Sequence, residues 1–313
     1  MKILLLGANG QVGYELQRAL APLGELQPAT RSGKLPGGAD CLAADLGDAV
    51  SLAQALKSTQ WDIMVNAAAY TAVDRAEDES ELAQRINGDA LGEIGAWAKQ
   101  SGAFVVHYST DYVFDGQGAR PYREDDATGP LGVYGRTKLA GEQALRDSGC
   151  DHLILRTAWV YAARGHNFLR TMLRLARERT ESSKGSLTVV DDQHGAPTSS
   201  RLIAASTAAL LARWSTLADR QRRARYNGTY HLAAAGETTW CGFARAIIER
   251  AGRAGLLARV PEVAAIRTAD FPTKARRPAY SVLDTSALRE RFDLHLPDWQ
   301  AGLDDTLAEM VER

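Results

Sequence analysis

The sharpest chemical signal in this chain is a phenol and an amine four residues apart, in Tyr134-Gly135-Arg136-Thr137-Lys138. On a helix that spacing puts both side chains on one face. A free phenol titrates near about 10, and a cation within a few ångströms favours its ionised form, so the pair predicts a tyrosine brought towards neutrality by its lysine. Such a tyrosine is a general acid for a developing alkoxide. A Tyr-x-x-x-Lys spacing also arises by chance, so its company decides its meaning. Upstream, Ser109-Thr110-Asp111 follows the apolar run Phe104–Tyr108. It therefore sits at the carboxyl end of an expected strand, where open α/β sheets bind ligands.

A third signal opens the chain. Gly7-Ala8-Asn9-Gly10-Gln11-Val12-Gly13 follows the apolar Lys2–Leu6 and precedes a helical pattern. The first glycine suits a tight turn, the second a close approach of backbone to a pyrophosphate, and the third close helix–sheet packing. The helix end beyond them offers free N–H groups and a positive dipole to phosphates. Together they predict a dinucleotide site. The end of the second strand, Gln27-Pro28-Ala29-Thr30-Arg31-Ser32-Gly33-Lys34, has no acid for an adenosine ribose hydroxyl. An arginine there suits a 2′-phosphate, which favours NADPH and leaves NADH open. Arg31 as an ordinary surface residue is the competing reading. Asp45-Leu46, after the third strand, is placed to meet the adenine ring.

Elements that could hold these groups alternate along the first half. Strands are expected at Lys2–Leu6, Glu25–Ala29, Cys41–Ala44, Asp62–Asn66, Phe104–Tyr108 and His152–Thr157, nearly all apolar, as strands buried on both faces must be. Helices between them include Ser80–Gln100 and Tyr134–Ser148. Beyond residue 160 the rhythm loosens into helices at Phe168–Arg179, Arg201–Ser215 and Trp240–Ala251, with short strands near Leu187–Val190 and Thr229–Ala233. The expected fold class is α/β: a Rossmann-type doubly wound parallel sheet over residues 1–160, to which later segments return, and a smaller C-terminal substrate-binding lobe over 161–313.

Composition narrows the function. With 313 residues, 45% hydrophobic, 24% charged and a net charge of −1, the chain has no global field for a nucleic acid or an anionic membrane. The run Arg220, Arg222, Arg223, Arg225 is a local exception, read as solvated surface. The apolar stretch before Gly7 is too short for a secretion signal, and no stretch reaches a membrane span, so a cytoplasmic protein is expected. Cys41, Cys150 and Cys241 are far apart and odd in number, which fits core thiols in a reducing compartment. Asn227-Gly228-Thr229 matches a glycosylation sequon that has no consequence in such a protein. The six histidines (107, 152, 166, 194, 231 and 295) lack zinc-hydrolase spacing and are read as structural, with no metal catalysis.

These motifs resemble those of the extended short-chain dehydrogenases/reductases, and within them the dTDP-4-dehydrorhamnose reductase family. The similarity runs almost end to end: Gly7–Leu16, Val65–Asp74, Asn87, His107–Phe114, Val133–Glu142, Leu155–Tyr161, Asn167-Phe168, Asp192–Thr198 and Arg277-Pro278. The resemblance implies NAD(P)H-dependent reduction of the C4 keto group of a dTDP-4-dehydro-6-deoxy-L-mannose to dTDP-L-rhamnose, for cell-surface polysaccharide such as lipopolysaccharide. It implies Tyr134 as the acid, Lys138 holding the nicotinamide ribose and lowering the tyrosine pKa, and Thr110 bonding the reacting oxygen. Thr110, Asp111 and Trp159 match sugar contacts. Gly10, Gln11, Val12, Asp45, Leu46, Ala69, Tyr70 and Thr71 match the cofactor groove. Some members carry an acid where Thr30 stands. Magnesium is implied only by the family, a homodimer is left open, and Asn167, Phe168, Gln193, Arg277 and Pro278 either line the nucleotide pocket or cap helices and turns. Rival readings are another nucleotide-sugar reductase, epimerase or dehydratase, and a cofactor-binding regulatory subunit. Asp111-Tyr112, where a dehydratase carries an acidic pair, disfavours the dehydratase, and the intact Tyr134, Lys138 and Thr110 disfavour the regulatory subunit.

Overall fold

The apolar runs form one seven-stranded sheet, all parallel. In chain order the elements begin β1 (Lys2–Leu6), α1 (Gln11–Leu20), β2 (Glu25–Thr30), β3 (Leu42–Ala43), α2 (Ala49–Lys57) and β4 (Ile63–Asn66). They continue with α3 (Val73–Ala76), α4 (Ser80–Gln84), α5 (Ala90–Ser101), β5 (Phe104–Thr110), α6 (Val133–Asp147), β6 (His152–Thr157) and β7 (Val160–Tyr161). The remainder comprises α7 (Phe168–Ser182), β8 (Leu187–Val190), β9 (His194–Gly195), β10 (Thr198–Ser199), α8 (Ser200–Ser215), β11 (Gly228–His231), β12 (Thr238–Thr239), α9 (Trp240–Arg253), β13 (Val263–Ile266), α10 (Ser286–Phe292) and α11 (Trp299–Val311). This computed structural model describes residues 1–182, 186–217 and 226–312; the Arg220–Arg225 run lies outside them.

Strand order is β11-β6-β5-β4-β1-β2-β3. The order reverses between β1 and β4, and there the carboxyl ends of the strands open a crevice for ligands. Alternate side chains fill two cores. Ile3, Leu5, Val65, Val106 and Leu155 face the side covered by α1 and α8, while Leu4, Leu6, Met64, Val105 and Ile154 face the side covered by α2, α5 and α6. Burial on both faces explains why these strands read as unbroken apolar runs. Thr229–His231, expected near a strand of the later half, belongs to β11 and lengthens the main sheet beside β6. A third core, with Leu169, Leu173, Phe243, Ile247 and Leu303, joins α7, α9 and α11 beside the β8–β13 pair.

The expected helix Ser80–Gln100 is interrupted. Between α4 and α5, residues Arg85–Asp89 form a π turn. It carries Asn87, fully buried, whose Oδ1 accepts from Tyr70 N (2.9 Å) and whose Nδ2 donates to Tyr70 O (3.1 Å) and Thr137 Oγ1 (3.2 Å). One side chain thus ties the loop after β4 to α6. Of the cysteines, Cys150 and Cys241 are buried, whereas Cys41 is only half-buried because β3 is the edge strand.

Candidate active site

The turn between β1 and α1 is built as its glycines require. Gly7 has φ +75°, and a Cβ there would lie 2.6 Å from Ala68 N. A Cβ on Gly13 would lie 2.0 Å from Gly7 O, so α1 can approach the strand only with glycine at that place. Gly10 supplies no side-chain cap, and the first N–H groups of α1 face the cleft without intrahelical partners. The cleft holds about 590 Å³ and crosses the sheet's reversal point. Gly7, Gly10, Gln11, Val12, Arg31, Asp45, Leu46, Ala69 and Thr71 line one half, and Thr110, Asp111, Tyr134, Lys138 and Trp159 the other.

Two nominated residues do not line it. Gly13 is turned into the helix–strand contact, its role being the close packing just described. Tyr70 donates its hydroxyl to Glu79 Oε2 (2.6 Å), and that bond holds the ring away from the groove while Asn87 holds its backbone. Asn167 donates to Gln11 Oε1 on the cleft wall (2.8 Å) as well as to Ala162 O and Arg164 O and accepts from Arg170 N, Gln193 donates to Thr268 Oγ1, and Arg277 pairs with Asp74 at 2.8 Å. Asn167 thus both caps α7 and braces the cleft wall, while Gln193 is engaged in a turn and Arg277 in an ion pair.

On the other side of the cleft α6 starts at Val133, so Tyr134 and Lys138 stand in its first two turns above the end of β5. The expected lowering of the Tyr134 pKa by Lys138 is not found. Burial pushes the phenol up to about 12, opposed by a hydrogen bond with Thr110. The reason is where the amine goes: Lys138, 2% exposed, donates to Tyr108 O (2.6 Å) and lies 3.1 Å from His107 Nε2. Burial takes Lys138 down to about 7, against an upward pull from Glu142. Thr110 Oγ1 meets Asp111 Oδ1 at 3.0 Å. Asp111 Oδ2 is buried without a protein partner, and burial raises that carboxyl to about 6. A carboxyl whose titration is moved towards neutrality and a tyrosine that keeps its proton therefore face the same space.

Trp159 follows β6, with φ +48°, a strained value for a bulky residue. Its indole is stacked on Trp240, with ring centroids 3.5 Å apart and planes 4° off parallel, and Gly195 packs against the ring at Cε2, where a Cβ would come within 2.4 Å. Trp240, Tyr112 and His166 also line the cleft and were not singled out from sequence. Trp240 carried no signal, since it opens a helix far along the chain. His107, read as structural, backs Lys138; a histidine after the apolar run Phe104-Val105-Val106 is the available sign. Among the described residues no three His, Cys, Asp or Glu side chains gather as a metal site, so the magnesium expectation finds no ligand set there. No helix among them is long and apolar enough to cross a membrane.

Comparison with known proteins adds to this geometry. The family described as RmlD substrate binding domain matches residues 1–312. The chain is 48% identical over 302 residues to a dTDP-4-dehydrorhamnose reductase of Burkholderia thailandensis (96% of each chain), and 45% identical over 310 residues to that of Salmonella typhimurium (99% of this chain, 98% of the other). A solved dTDP-4-dehydrorhamnose reductase of Bacillus anthracis, in complex with NADP, superposes with a TM-score of 0.83 at 30% identity, covering 98% of this chain and 99% of its own. A turn shaped for phosphates, a Tyr134–Lys138 helix start beside Thr110, and similarity along the whole chain agree: the protein belongs to the dTDP-4-dehydrorhamnose reductase family, with its Rossmann-type α/β fold.

Proposed function

We propose that the protein reduces the C4 keto group of dTDP-4-dehydro-6-deoxy-L-mannose to give dTDP-L-rhamnose, with NADPH as the donor, in the cytoplasm. The observation that carries this reading is the convergence, in one cleft, of a side-chain-free phosphate turn with Tyr134, Lys138 and Thr110. The reductases of Burkholderia thailandensis and Salmonella typhimurium, alike along their whole length, supply the substrate class. The NADP complex of the Bacillus anthracis neighbour supports the coenzyme.

The residues fit a dinucleotide. Gly7 and Gly10 leave room for a pyrophosphate against the first N–H groups of α1, and Asp45 and Leu46 flank the adenine end. Arg31 stands at the rim of that end, while Thr30 is buried with its hydroxyl bonded to Lys34 O, which supports the 2′-phosphate form. A reduced nicotinamide, when bound, would supply the hydride. Lys138, held by Tyr108 O and His107 Nε2, would hold the nicotinamide ribose. Tyr134, protonated throughout the neutral range, gives its proton to the oxygen that becomes an alkoxide at C4, and Thr110 holds that oxygen in reach. Asp111, with its free Oδ2, bonds a sugar hydroxyl, and Trp159 offers the hexose an aromatic surface.

The test is NADPH consumption with the dTDP-4-keto sugar made in situ. Stoichiometric oxidation with formation of dTDP-L-rhamnose is expected. An epimerase, or a subunit that only binds the coenzyme, gives no net oxidation and would end this reading.

A further inference from the structure

The Trp159 indole is held from both sides. A Cβ built on Gly195 would lie 2.4 Å from Trp159 Cε2, 2.6 Å from Nε1 and 2.7 Å from Cζ2. A point beyond the rim at that corner would be nearer to the two outer atoms than to the carbon shared by both rings, so Gly195 lies over the ring. Trp240 stacks with ring centroids 3.5 Å away and planes 4° off parallel, which leaves no room for Gly195 between them and puts Trp240 on the opposite face. With both faces engaged, the indole reaches the cleft by its rim.

The segments that make this sandwich are fastened to one another. β9 pairs antiparallel with β12, which sets Gly195 opposite Thr238 and His194 opposite Thr239, and Trp240 follows at once. Asp191 Oδ1 accepts from Thr239 Oγ1, the same hydroxyl that caps α9 by accepting from Gly242 N (2.9 Å), and Thr198 N donates to Trp159 O (3.3 Å). Residues 191–198 therefore grip both indoles, one by its carbonyl and the other by the start of its helix. On the far side of Trp240, Phe168 packs with ring centroids 4.6 Å apart, and Phe243 lies 5.6 Å beyond Phe168, so the stack continues into the third core. Trp159, at φ +48°, is at the exposed end of this stack, and such a backbone conformation persists only where its surroundings over-determine it.

We propose that Trp240 is a positioning residue for the sugar step: stacked on Trp159, it holds that strained indole edge-on to the cleft, so that Trp159 meets the hexose with its rim and its Nε1–H rather than with a face. This role deepens the reductive reading and rests on it for the identity of the sugar. Edge-on presentation changes what is recognised. A ring face covers any hexose with an apolar side, whereas an N–H at a fixed place asks for an oxygen opposite it. A site that hydrogen-bonds a hydroxyl rejects the sugar lacking it far more strongly than a site that only covers the ring. Trp240 thereby contributes to the choice of sugar without touching it.

The test is a double-mutant cycle read in two ways: dTDP-L-rhamnose affinity by calorimetry in the presence of NADP⁺, and the indole N–H signals of ¹⁵N-tryptophan-labelled protein without any ligand. The Trp159 signal is assigned by its loss in Trp159→Phe. Trp240→Ala should move that signal downfield, because the shielding by the stacked ring disappears, and should weaken dTDP-L-rhamnose about tenfold with NADPH affinity held. Since Trp240 acts through Trp159, the double variant should bind no worse than Trp159→Ala alone, and Trp240→Phe, which keeps a ring in the stack, should restore most of the affinity. Losses that multiply to about a hundredfold in the double variant would mean that Trp240 touches the sugar itself, and they overturn the proposal. A Trp159 signal unmoved in Trp240→Ala overturns it as well. Should Trp240→Ala not fold, the wild type decides, because absence of cross-peaks between the two indoles removes the stack. A wild type that binds no dTDP-L-rhamnose ends the substrate reading instead, and the ligand-free spectra judge the sandwich apart from it.

Discussion

The two halves of the cleft are made of different material. Where the coenzyme is proposed to lie, the wall is mostly backbone: Gly7, Gly10, the first turn of α1 and Ala69. Where the sugar is proposed to lie, the wall is side chains from distant segments, Thr110 and Asp111 after β5, Trp159 before β7, and Trp240 at the start of α9. The backbone half tolerates little change, because a single Cβ collides with the chain. The side-chain half can be recut by substitution without disturbing the sheet. A fold of this kind can keep one coenzyme site and vary what it reduces.

Tyr134 stands where the halves meet, and the largest effect is expected there. Tyr134→Phe should lower kcat by roughly 10²–10⁴-fold, the usual worth of a general acid, with the NADPH dissociation constant unchanged. Turnover near that of the wild type removes Tyr134 from the reaction. Gly13→Ala tests the claim that the coenzyme half is backbone-limited: forcing a methyl into the 2.0 Å approach to Gly7 O should cost about 1–3 kcal/mol of stability and weaken NADPH binding in the protein that folds. Unaltered melting and binding would show that the contact relaxes easily.

On the other side, Trp159→Ala should raise the KM for the dTDP-sugar about tenfold, with NADPH affinity held, since the loss includes an aromatic contact worth about 0.5–1.5 kcal/mol beyond its buried area. If NADPH affinity falls as far as sugar affinity, the division between the halves is wrong. The smallest effect is expected for Arg31→Asp. Arg31 is exposed, so its pairing with a 2′-phosphate is worth about 1 kcal/mol, and the ratio of kcat/KM for NADPH over NADH should fall about fivefold. An unchanged ratio assigns Arg31 to the surface.

The same division decides how much could be read from the residues alone. Backbone-built features leave marks in the sequence: glycines at 7, 10 and 13, apolar strands buried on both faces, and a tyrosine and lysine one helical turn apart. Features built by contact between remote segments leave few. Trp159 enters only through family resemblance, and its stacking on Trp240 joins the segment after β6 to the start of α9. Where the Lys138 amine points is hidden from the sequence for a related reason. Spacing on α6 says that the two share a face, but the amine's direction is set by β5, where Tyr108 O and His107 Nε2 capture it. The break in Ser80–Gln100 was likewise invisible, because its cause is the loop after β4 that Asn87 must reach.

That break has a genealogical side. A π turn is an α-helix that has absorbed one extra residue, and such turns persist where the displaced side chain is useful. Deleting one residue between Arg85 and Asp89, for example Gly88, would let α4 and α5 merge into a single regular helix. Because the wide turn takes up the extra residue, the helices on either side would keep their register, and the deletion would act locally, on where Asn87 points. Asn87 would lose Tyr70 and Thr137 together, and the loop carrying Ala69 and Thr71 would come away from α6. A more regular helix would thus make a poorer enzyme, and an ancestor without the insertion would have had to fasten that loop by other means.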